Sequence, residues 1–149
     1  ELEKEGIYVE KEDLLKQADV ITLHMPATDD DYHFINEKTI SMMKDGAYIV
    51  NTARGALIDT PALVEALRSG KLAGAALDTY ENEAGIFNHD LKGQEIEDET
   101  FKELIKLDNV VVSPHIAFYT NVAVENMVKI SLNSAKEVIE TGTSSTLVK

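Results

Sequence analysis

Three polar side chains in this sequence have the types that acid–base chemistry needs: Arg54, Glu83 and His115. An arginine presents a rigid, permanently charged fork that matches a planar carboxylate or phosphate. A histidine exchanges a proton near neutral pH, and a carboxylate can hold its ring in place. This set suits proton transfer on a small hydroxy or keto acid, but the reaction also needs an electron carrier that side chains do not supply.

Each of the three residues follows a segment that the sequence predicts to be a strand. The predicted strands are apolar and rich in small or β-branched residues: Ala47–Val50, Leu72–Leu77 and Asn109–Val112. The carboxyl ends of parallel strands meet at one edge of a sheet, which is where such folds bind ligands. Taken alone, Arg54 is more simply a surface arginine paired with one of the many acids. The convergence of the three strand ends favours the functional interpretation.

The remaining pattern alternates further strands with helices. Strands are predicted at Gly6–Val9 and Ala18–Met25, the second ending before Pro26 because proline cannot donate to a strand ladder. Helices are predicted over 12–17 with Leu14 and Leu15 inward, after an Asn36 cap, over 59–69, from about 99, and over 119–139. This alternation predicts a doubly wound, mostly parallel α/β sheet of the Rossmann type, covered by helices on both faces.

Composition limits the class of protein. The 149 residues are 44% hydrophobic and carry a net charge of −13, which argues against nucleic acid or an anionic membrane as the main partner. There is no cysteine, so disulfides and thiolate metal sites are excluded, and a reducing, cytoplasmic location is expected. No pair of histidines has a helical spacing with carboxylates, so we expect no metal.

Three sequence blocks resemble the NAD-binding domain of the D-isomer-specific 2-hydroxyacid dehydrogenases: Val50–Gly55 (VNTARG), Leu77–Glu83 (LDTYENE) and Ser113–His115 (SPH). The intervals between the blocks also agree with that family, and the resemblance covers nearly the whole chain. It implies that Arg54 binds the substrate carboxylate, that His115 is the acid/base, and that Glu83 orients the histidine. The implied reaction is the reduction of a small 2-keto acid, pyruvate or a branched analogue, to the D-2-hydroxy acid.

Two details are similar to the D-lactate and D-2-hydroxyisocaproate dehydrogenase branch of that family. One is the segment His115–Thr120 (HIAFYT), and the other is the long acidic excursion after Glu83 with Gly85–Phe87. The aromatic pair Phe118 and Tyr119 could shape a pocket for an aliphatic keto acid or pack under the long helix. The resemblance also implies NAD as the cofactor and a homodimer in the intact protein. It implies that the following residues line the NAD site: Met25, Pro26, Asp31, Thr52, Ala53, Arg54 and Asp78.

The chain departs from the family pattern in one respect. It has no G-x-G-x-x-G loop, the segment that would bind the pyrophosphate. We therefore expect residues 1–149 to form a partial NAD-binding domain, incomplete at its N-terminal side, that alone binds NAD poorly and turns over little. We expect residues 119–149 to form a long helix and tail that pack toward a substrate domain.

Alternatives to the enzyme remain at this stage. The same fold could serve as a non-catalytic NAD-sensing or interaction module, as in the corepressors that resemble these dehydrogenases, or as a dimerisation element. Of the other histidines, His24 is expected to be a satisfied strand-end residue. His33 and His89 are expected to face solvent, because both lie in polar segments.

Overall fold

The structure is a computed structural model that describes residues 6–147. These residues form two compact units, one ending at His115 and the other beginning at Ile116. The first unit contains a four-stranded sheet in which every neighbouring pair is parallel and the strand order follows the chain. The strands are β1 (Val20–Leu23), β2 (Ala47–Asn51), β3 (Leu72–Leu77) and β4 (Val110–Val112).

Four helices connect or flank these strands: α1 (Lys11–Gln17), α2 (Glu37–Met42), α3 (Thr60–Arg68) and α4 (Glu99–Leu104). Short 3₁₀ turns lie at Asp29–Asp31 and Gly55–Leu57. The parallel α/β architecture of the Rossmann type, predicted from the alternation of strands and helices, is confirmed. The predicted strand Leu72–Leu77 has the observed bounds, and the other elements predicted from residue 12 onward differ at their ends by a few residues.

One face of the sheet carries the core of the first unit. Ile21, Ile49 and Ala75 lie side by side in register, and all three are buried. On the opposite face Val20, Tyr48 and Val111 are at least half exposed. The prediction that helices cover both faces is therefore not met within residues 6–115. Parallel strands added in sequence order, each through a right-handed crossover, place their helices on the same side.

Local signals in the sequence set the helix ends. Asn36 caps α2 in a reciprocal capping box with Thr39, which satisfies two backbone donors at once. The Asp59 side chain accepts a hydrogen bond from the Ala62 amide at the start of α3, and Pro61 lies in the first turn, where it has no bond to lose.

The N-terminal predictions were partly wrong. Residues 6–10 contain no strand, and Ile7 and Tyr8 are almost fully exposed, because no strand in the described part of the chain pairs with this segment. Leu15 is buried as predicted, but its neighbour Leu14 is 43% exposed. In a helix of seven residues, only one of two adjacent positions faces the core.

An aromatic cluster anchors the irregular segment between β3 and α4. Tyr80, Phe87 and Phe101 are buried, and their ring centroids lie 5.0–6.5 Å apart in tilted or edge-on arrangements, which favour aromatic attraction. The Tyr80 hydroxyl donates to the carboxylate of Asp98 over 2.8 Å, and Asp98 also caps α4 through the Phe101 amide. Residues 84–98 are thus tied down at the end of β3 without regular structure of their own.

The second unit consists of helix α5 (Asn121–Thr141) and the residues around it. Thr120 caps its start, and Gly142 ends it with a left-handed backbone, φ +79°. Residues 144 and 145, just after this helix, bond back to it through Glu137. One carboxylate oxygen of Glu137 accepts bonds from the Ser144 hydroxyl and the Ser145 amide, and these bonds lower the pKa of Glu137. No helix within residues 6–147 has the length and apolar character needed to cross a membrane.

Candidate active site

Buried Asn51, the last residue of β2, shapes the loop that carries Arg54. Its side chain donates to the Arg54 carbonyl over 2.9 Å and accepts from the Ala53 amide over 3.0 Å. Its backbone carbonyl accepts from the Asp78 amide at the end of β3 over 2.8 Å. The side chain of Asn51 therefore fixes the Arg54 loop, and its backbone carbonyl joins this loop to the neighbouring strand end.

The Arg54 side chain is exposed and points out of this loop. Its Nη1 donates to the Ala53 carbonyl over 2.7 Å. Within residues 6–147 it forms no ion pair with a carboxylate, although the chain is rich in acids. A guanidinium that keeps most of its donors available can bind a planar anion through two parallel hydrogen bonds.

His115 and Glu83 form the ion pair predicted from the sequence. Nδ1 of His115 lies 2.7 Å from Oε1 of Glu83, and both side chains are about one-third exposed. The second oxygen of Glu83 accepts from the Tyr80 amide over 3.1 Å. Because a carboxylate can only accept, the proton of the neutral ring lies on Nδ1, and Nε2 remains for a substrate. His115 holds a left-handed backbone, φ +53°, a conformation that is uncommon outside glycine.

Asp78 joins the end of β3 to the segment that carries His115. Its backbone carbonyl accepts from the His115 amide over 2.7 Å, and its carboxylate accepts from the Ser113 hydroxyl over 2.5 Å. Asp78 is almost fully buried. The adjacent strand ends are therefore connected in series: Asn51 to Asp78, and Asp78 to His115.

A cavity of about 310 Å³ lies at the ends of β1 and β2. It is lined by His24, Met25, Pro26, Thr52, Ala53 and Arg54. Four of the residues predicted to line the NAD site thus come together beside Arg54. Asp31 does not line this cavity and instead accepts a hydrogen bond from Thr28. Asp78 also lies outside the cavity lining, in the series of strand-end contacts.

The other histidines differ in their surroundings. His24 bonds to the Thr22 hydroxyl over 2.7 Å, and His89 is exposed, both as expected. His33 is not the solvent-facing residue predicted from its polar segment. Its side chain is only 25% exposed and lies 2.9 Å from the carboxylate of Glu81. The described residues contain no group of three or more side chains of the metal-binding types that could hold an ion.

Tyr80 supports the pair through its backbone, while its hydroxyl is not available as an acid. Burial raises the pKa of the Tyr80 phenol, and the hydrogen bond to Asp98 raises it further. The hydroxyl therefore stays protonated at physiological pH.

Sequence reasoning missed three residues that build the site: Asn51, Glu81 and Ser113. Each lies within a block of the resemblance, which implies no role for it. Asn51 carried a usable signal, since a polar amide that directly follows an apolar strand has to satisfy the loop it enters. The partners of Glu81 and Ser113 lie on other elements, and spacing along the chain does not indicate them.

Comparison with known proteins identifies the family of this chain. Residues 1–117 match the model of the family described as "D-isomer specific 2-hydroxyacid dehydrogenase, NAD binding domain". A D-lactate dehydrogenase of Lactiplantibacillus plantarum is 60% identical over the whole of this chain, which corresponds to 45% of that protein. An aromatic 2-oxoacid reductase of Clostridium sporogenes is 50% identical over 96% of the chain and 44% of its own length. The chain thus spans less than half the length of these curated relatives.

Solved structures give the same result. A D-lactate dehydrogenase from Treponema pallidum superposes with a TM-score of 0.91 at 48% identity, over 95% of this chain and 43% of that one. The NAD-complexed form of a D-isomer specific 2-hydroxyacid dehydrogenase from Lactobacillus delbrueckii ssp. bulgaricus has a TM-score of 0.88 at 39% identity, with the same coverage. The fold and the sequence agree with these proteins over most of the chain. This chain therefore belongs to the D-isomer specific 2-hydroxyacid dehydrogenase family and matches its NAD binding domain.

Proposed function

We propose that the protein containing this chain is an NAD-dependent oxidoreductase that reduces a small 2-keto acid, pyruvate or a branched analogue, to the D-2-hydroxy acid. The observation that carries the proposal is the His115–Glu83 pair. One ring nitrogen is held by the carboxylate, and the other has no hydrogen-bond partner among residues 6–147. Arg54, on the neighbouring loop, provides the cation that a carboxylate substrate requires.

The reaction divides between the cofactor and two side chains. When bound, NADH supplies the hydride that reduces the carbonyl carbon of the keto acid. His115, protonated on both nitrogens, donates the Nε2 proton to the carbonyl oxygen as the hydroxyl forms, and becomes neutral. Glu83 keeps the ring in one orientation throughout and stabilises the protonated form. In the reverse direction the neutral ring accepts the hydroxyl proton.

Arg54 has a binding role in this scheme. The substrate carboxylate would accept two hydrogen bonds from the guanidinium, which fixes the plane of the keto acid relative to His115. Met25, Pro26, Thr52 and Ala53 line the cavity beside it and would hold the cofactor. The same family resemblance assigns Asp31 and Asp78 to cofactor contacts.

An NADH-oxidation assay across a keto-acid series tests the proposed function. Pyruvate, a branched keto acid and an aromatic keto acid should be compared, because the relatives include D-lactate dehydrogenases and an aromatic 2-oxoacid reductase. The complete polypeptide should consume NADH with at least one of them and yield the D product. Residues 1–149 alone should show little or no turnover. A complete polypeptide inactive toward the whole series would contradict the proposal.

Arg54→Lys tests the carboxylate clamp within the active enzyme. Lysine keeps the charge but cannot form two parallel bonds, so we expect kcat/KM for the keto acid to fall about 10–100-fold, the loss of one charge-assisted hydrogen bond. Arg68→Lys is the matched control, because Arg68 pairs with Glu103 on the surface and should change little. Near-normal kcat/KM in Arg54→Lys would exclude this role.

We also propose that the protein acts in the cytoplasm as a homodimer and has neither nucleic acid nor membrane as a main partner. The absence of cysteine and the net charge of −13 support the location and the choice of partner, and the family resemblance supports the dimer. The relatives named above are dehydrogenases and reductases, which favours the enzyme over a non-catalytic sensing module.

A further inference from the structure

The loop after β3 carries a second glutamate, Glu81, whose carboxylate is used at both oxygens. Oε2 lies 2.9 Å from Nε2 of His33, and Oε1 accepts the Thr60 amide over 3.1 Å. The Glu81 side chain is only 14% exposed. Thr60 is the first residue of α3, where backbone amides lack partners within the helix. Glu81 therefore joins its own loop to two other segments at one point.

His33 is itself fixed against the segment that follows Arg54. Its amide donates to the Ala56 carbonyl, and its Nδ1 lies 3.8 Å from the carboxylate of Asp59. The chain after His33 continues beside residues 56–58 through a parallel bridge between Ile35 and Ile58. Glu81 thus contacts two groups that belong to, or are bound to, the segment that follows Arg54: the Thr60 amide and the His33 ring.

Gly55 brings the two loops into direct contact. A Cβ atom at Gly55 would lie 2.1 Å from the Tyr80 carbonyl carbon and 2.3 Å from the Glu81 nitrogen. No side chain fits there, so the residue after Arg54 packs on the backbone that leads into Glu83. This contact sets the Arg54 backbone against the loop that carries Glu83.

We propose that Glu81 is a positioning residue which, together with His33, fixes the Arg54 loop relative to the His115–Glu83 pair. The inference rests on the proposed function, since it assigns these contacts to the alignment of a bound keto acid. Neither Glu81 nor His33 touches the reacting atoms. Glu81 acts through Arg54 on one side and through its own loop, which carries Glu83, on the other.

Glu81→Ala in the complete enzyme tests the inference. A small misplacement of a positioning group is costly, so we expect kcat/KM for the preferred keto acid to fall about 10–100-fold, mainly through a higher KM. NADH affinity, measured by fluorescence titration, should stay within about threefold of the wild-type value, because Asn51 holds the Ala53 amide independently of Glu81, whereas Glu81 acts on the segment that follows Arg54. Glu65→Ala, an exposed carboxylate on α3, is the matched control and should leave both quantities unchanged.

Two further variants separate positioning from folding. Glu81→Gln keeps an acceptor for the Thr60 amide and a polar contact to His33, so it should recover most of the lost kcat/KM. The double variant Glu81→Ala/His33→Asn should lose less than the product of the single losses, because the two side chains act as one unit.

The results that overturn the inference are distinct from those that overturn the proposed function. An active wild-type enzyme with unchanged kcat/KM in Glu81→Ala overturns the inference alone. So does an equal loss of NADH affinity and keto-acid KM that Glu81→Gln does not relieve, since that pattern indicates general damage to the fold. A wild-type enzyme without activity on any keto acid overturns the proposed function and this inference together.

Discussion

The loop after β3 carries two glutamates, Glu81 and Glu83, and each contacts a histidine from another segment, at similar distances but through different ring nitrogens. The ring nitrogen to carboxylate distance is 2.7 Å for His115 and Glu83, and 2.9 Å for His33 and Glu81. In each pair the second carboxylate oxygen accepts a backbone amide, that of Tyr80 or of Thr60. Both histidines also hold left-handed backbones, with φ of +53° and +51°.

The pairs differ in what surrounds the other ring nitrogen. Nδ1 of His33 faces the Asp59 carboxylate at 3.8 Å, and its ring stacks on Tyr32 with centroids 3.9 Å apart. Nε2 of His115 has no hydrogen-bond partner in the described part of the chain. Both nitrogens of His33 thus face carboxylates of the chain, whereas His115 keeps one nitrogen for a substrate. A histidine–glutamate pair is therefore not by itself evidence of catalysis.

Replacing each histidine by asparagine gives the largest expected difference between the pairs. Asparagine tolerates a left-handed backbone, so the two variants carry similar backbone strain. Loss of a general acid should lower kcat about 10²–10⁴-fold in His115→Asn. In His33→Asn we expect kcat to stay within about tenfold of wild type, with the change mainly in the keto-acid KM. Steady-state kinetics on the complete enzyme measures both, and equal losses of kcat would remove the distinction.

Gly55→Ala tests whether the two loops must touch. The added methyl group would overlap the Tyr80–Glu81 backbone, so the loops must separate, and we expect kcat/KM to fall about 100-fold. Gly46→Ala is the control, since the space around Gly46 is open but its backbone is left-handed, φ +78°. That variant should lose about 1 kcal/mol of unfolding free energy and keep its kcat/KM. Normal kcat/KM in Gly55→Ala would show that the alignment of the loops tolerates movement.

Tyr80→Phe distinguishes the role of the Tyr80 amide, which donates to Glu83, from the role of its phenol hydroxyl. The variant keeps the amide that donates to Glu83 and loses the hydroxyl that donates to Asp98. We expect the free energy of unfolding to fall by about 1–3 kcal/mol, with kcat/KM little changed. A large loss of kcat/KM would mean that the ring, and not the amide alone, positions the His115–Glu83 pair.

The same variant should change the response to alkaline pH. Because burial raises the pKa of Tyr80 above its ordinary value, the unfolded chain releases this proton at about pH 10 while the folded chain keeps it. The stabilisation is therefore complete below pH 10 and declines as the pH rises toward the folded pKa. Urea unfolding at pH 7 and above pH 10 should show a smaller decline in Tyr80→Phe than in the wild type.

Much of the fold followed from the sequence, because local signals agreed with the overall pattern. The capping residue Asn36 and the apolar runs of β2 and β3 each predicted the element that is observed. The strand predicted at Gly6–Val9 was wrong because an apolar pattern indicates only that a segment could be a strand. Whether it pairs depends on a neighbouring strand, which the local sequence does not reveal. Whether helices cover one face of the sheet or both depends likewise on the strand order, which the alternation of strands and helices along the chain does not define.

The site was predictable only where residues followed strands. Arg54 and His115 could be placed at one edge because parallel strands end together, and the pairing of His115 with Glu83 was predicted correctly. His33 was misjudged because it lies in a polar segment, and its partner Glu81 is far away in the chain. Two glutamates separated by a single residue, Asn82, gave no indication that they serve different histidines.

The strand order has a consequence for how the site assembles during folding. In the described sheet each strand pairs only with strands adjacent to it in the chain, as Val20 does with Tyr48 and Ala75 does with Val110. Every pairing step therefore closes a loop of moderate length, at an entropic cost that grows only slowly with loop size. Arg54 follows the second strand and His115 the last, so the two meet only once β4 has docked. The site is therefore complete only when the whole described sheet has formed, and activity should not appear during refolding before the sheet is complete.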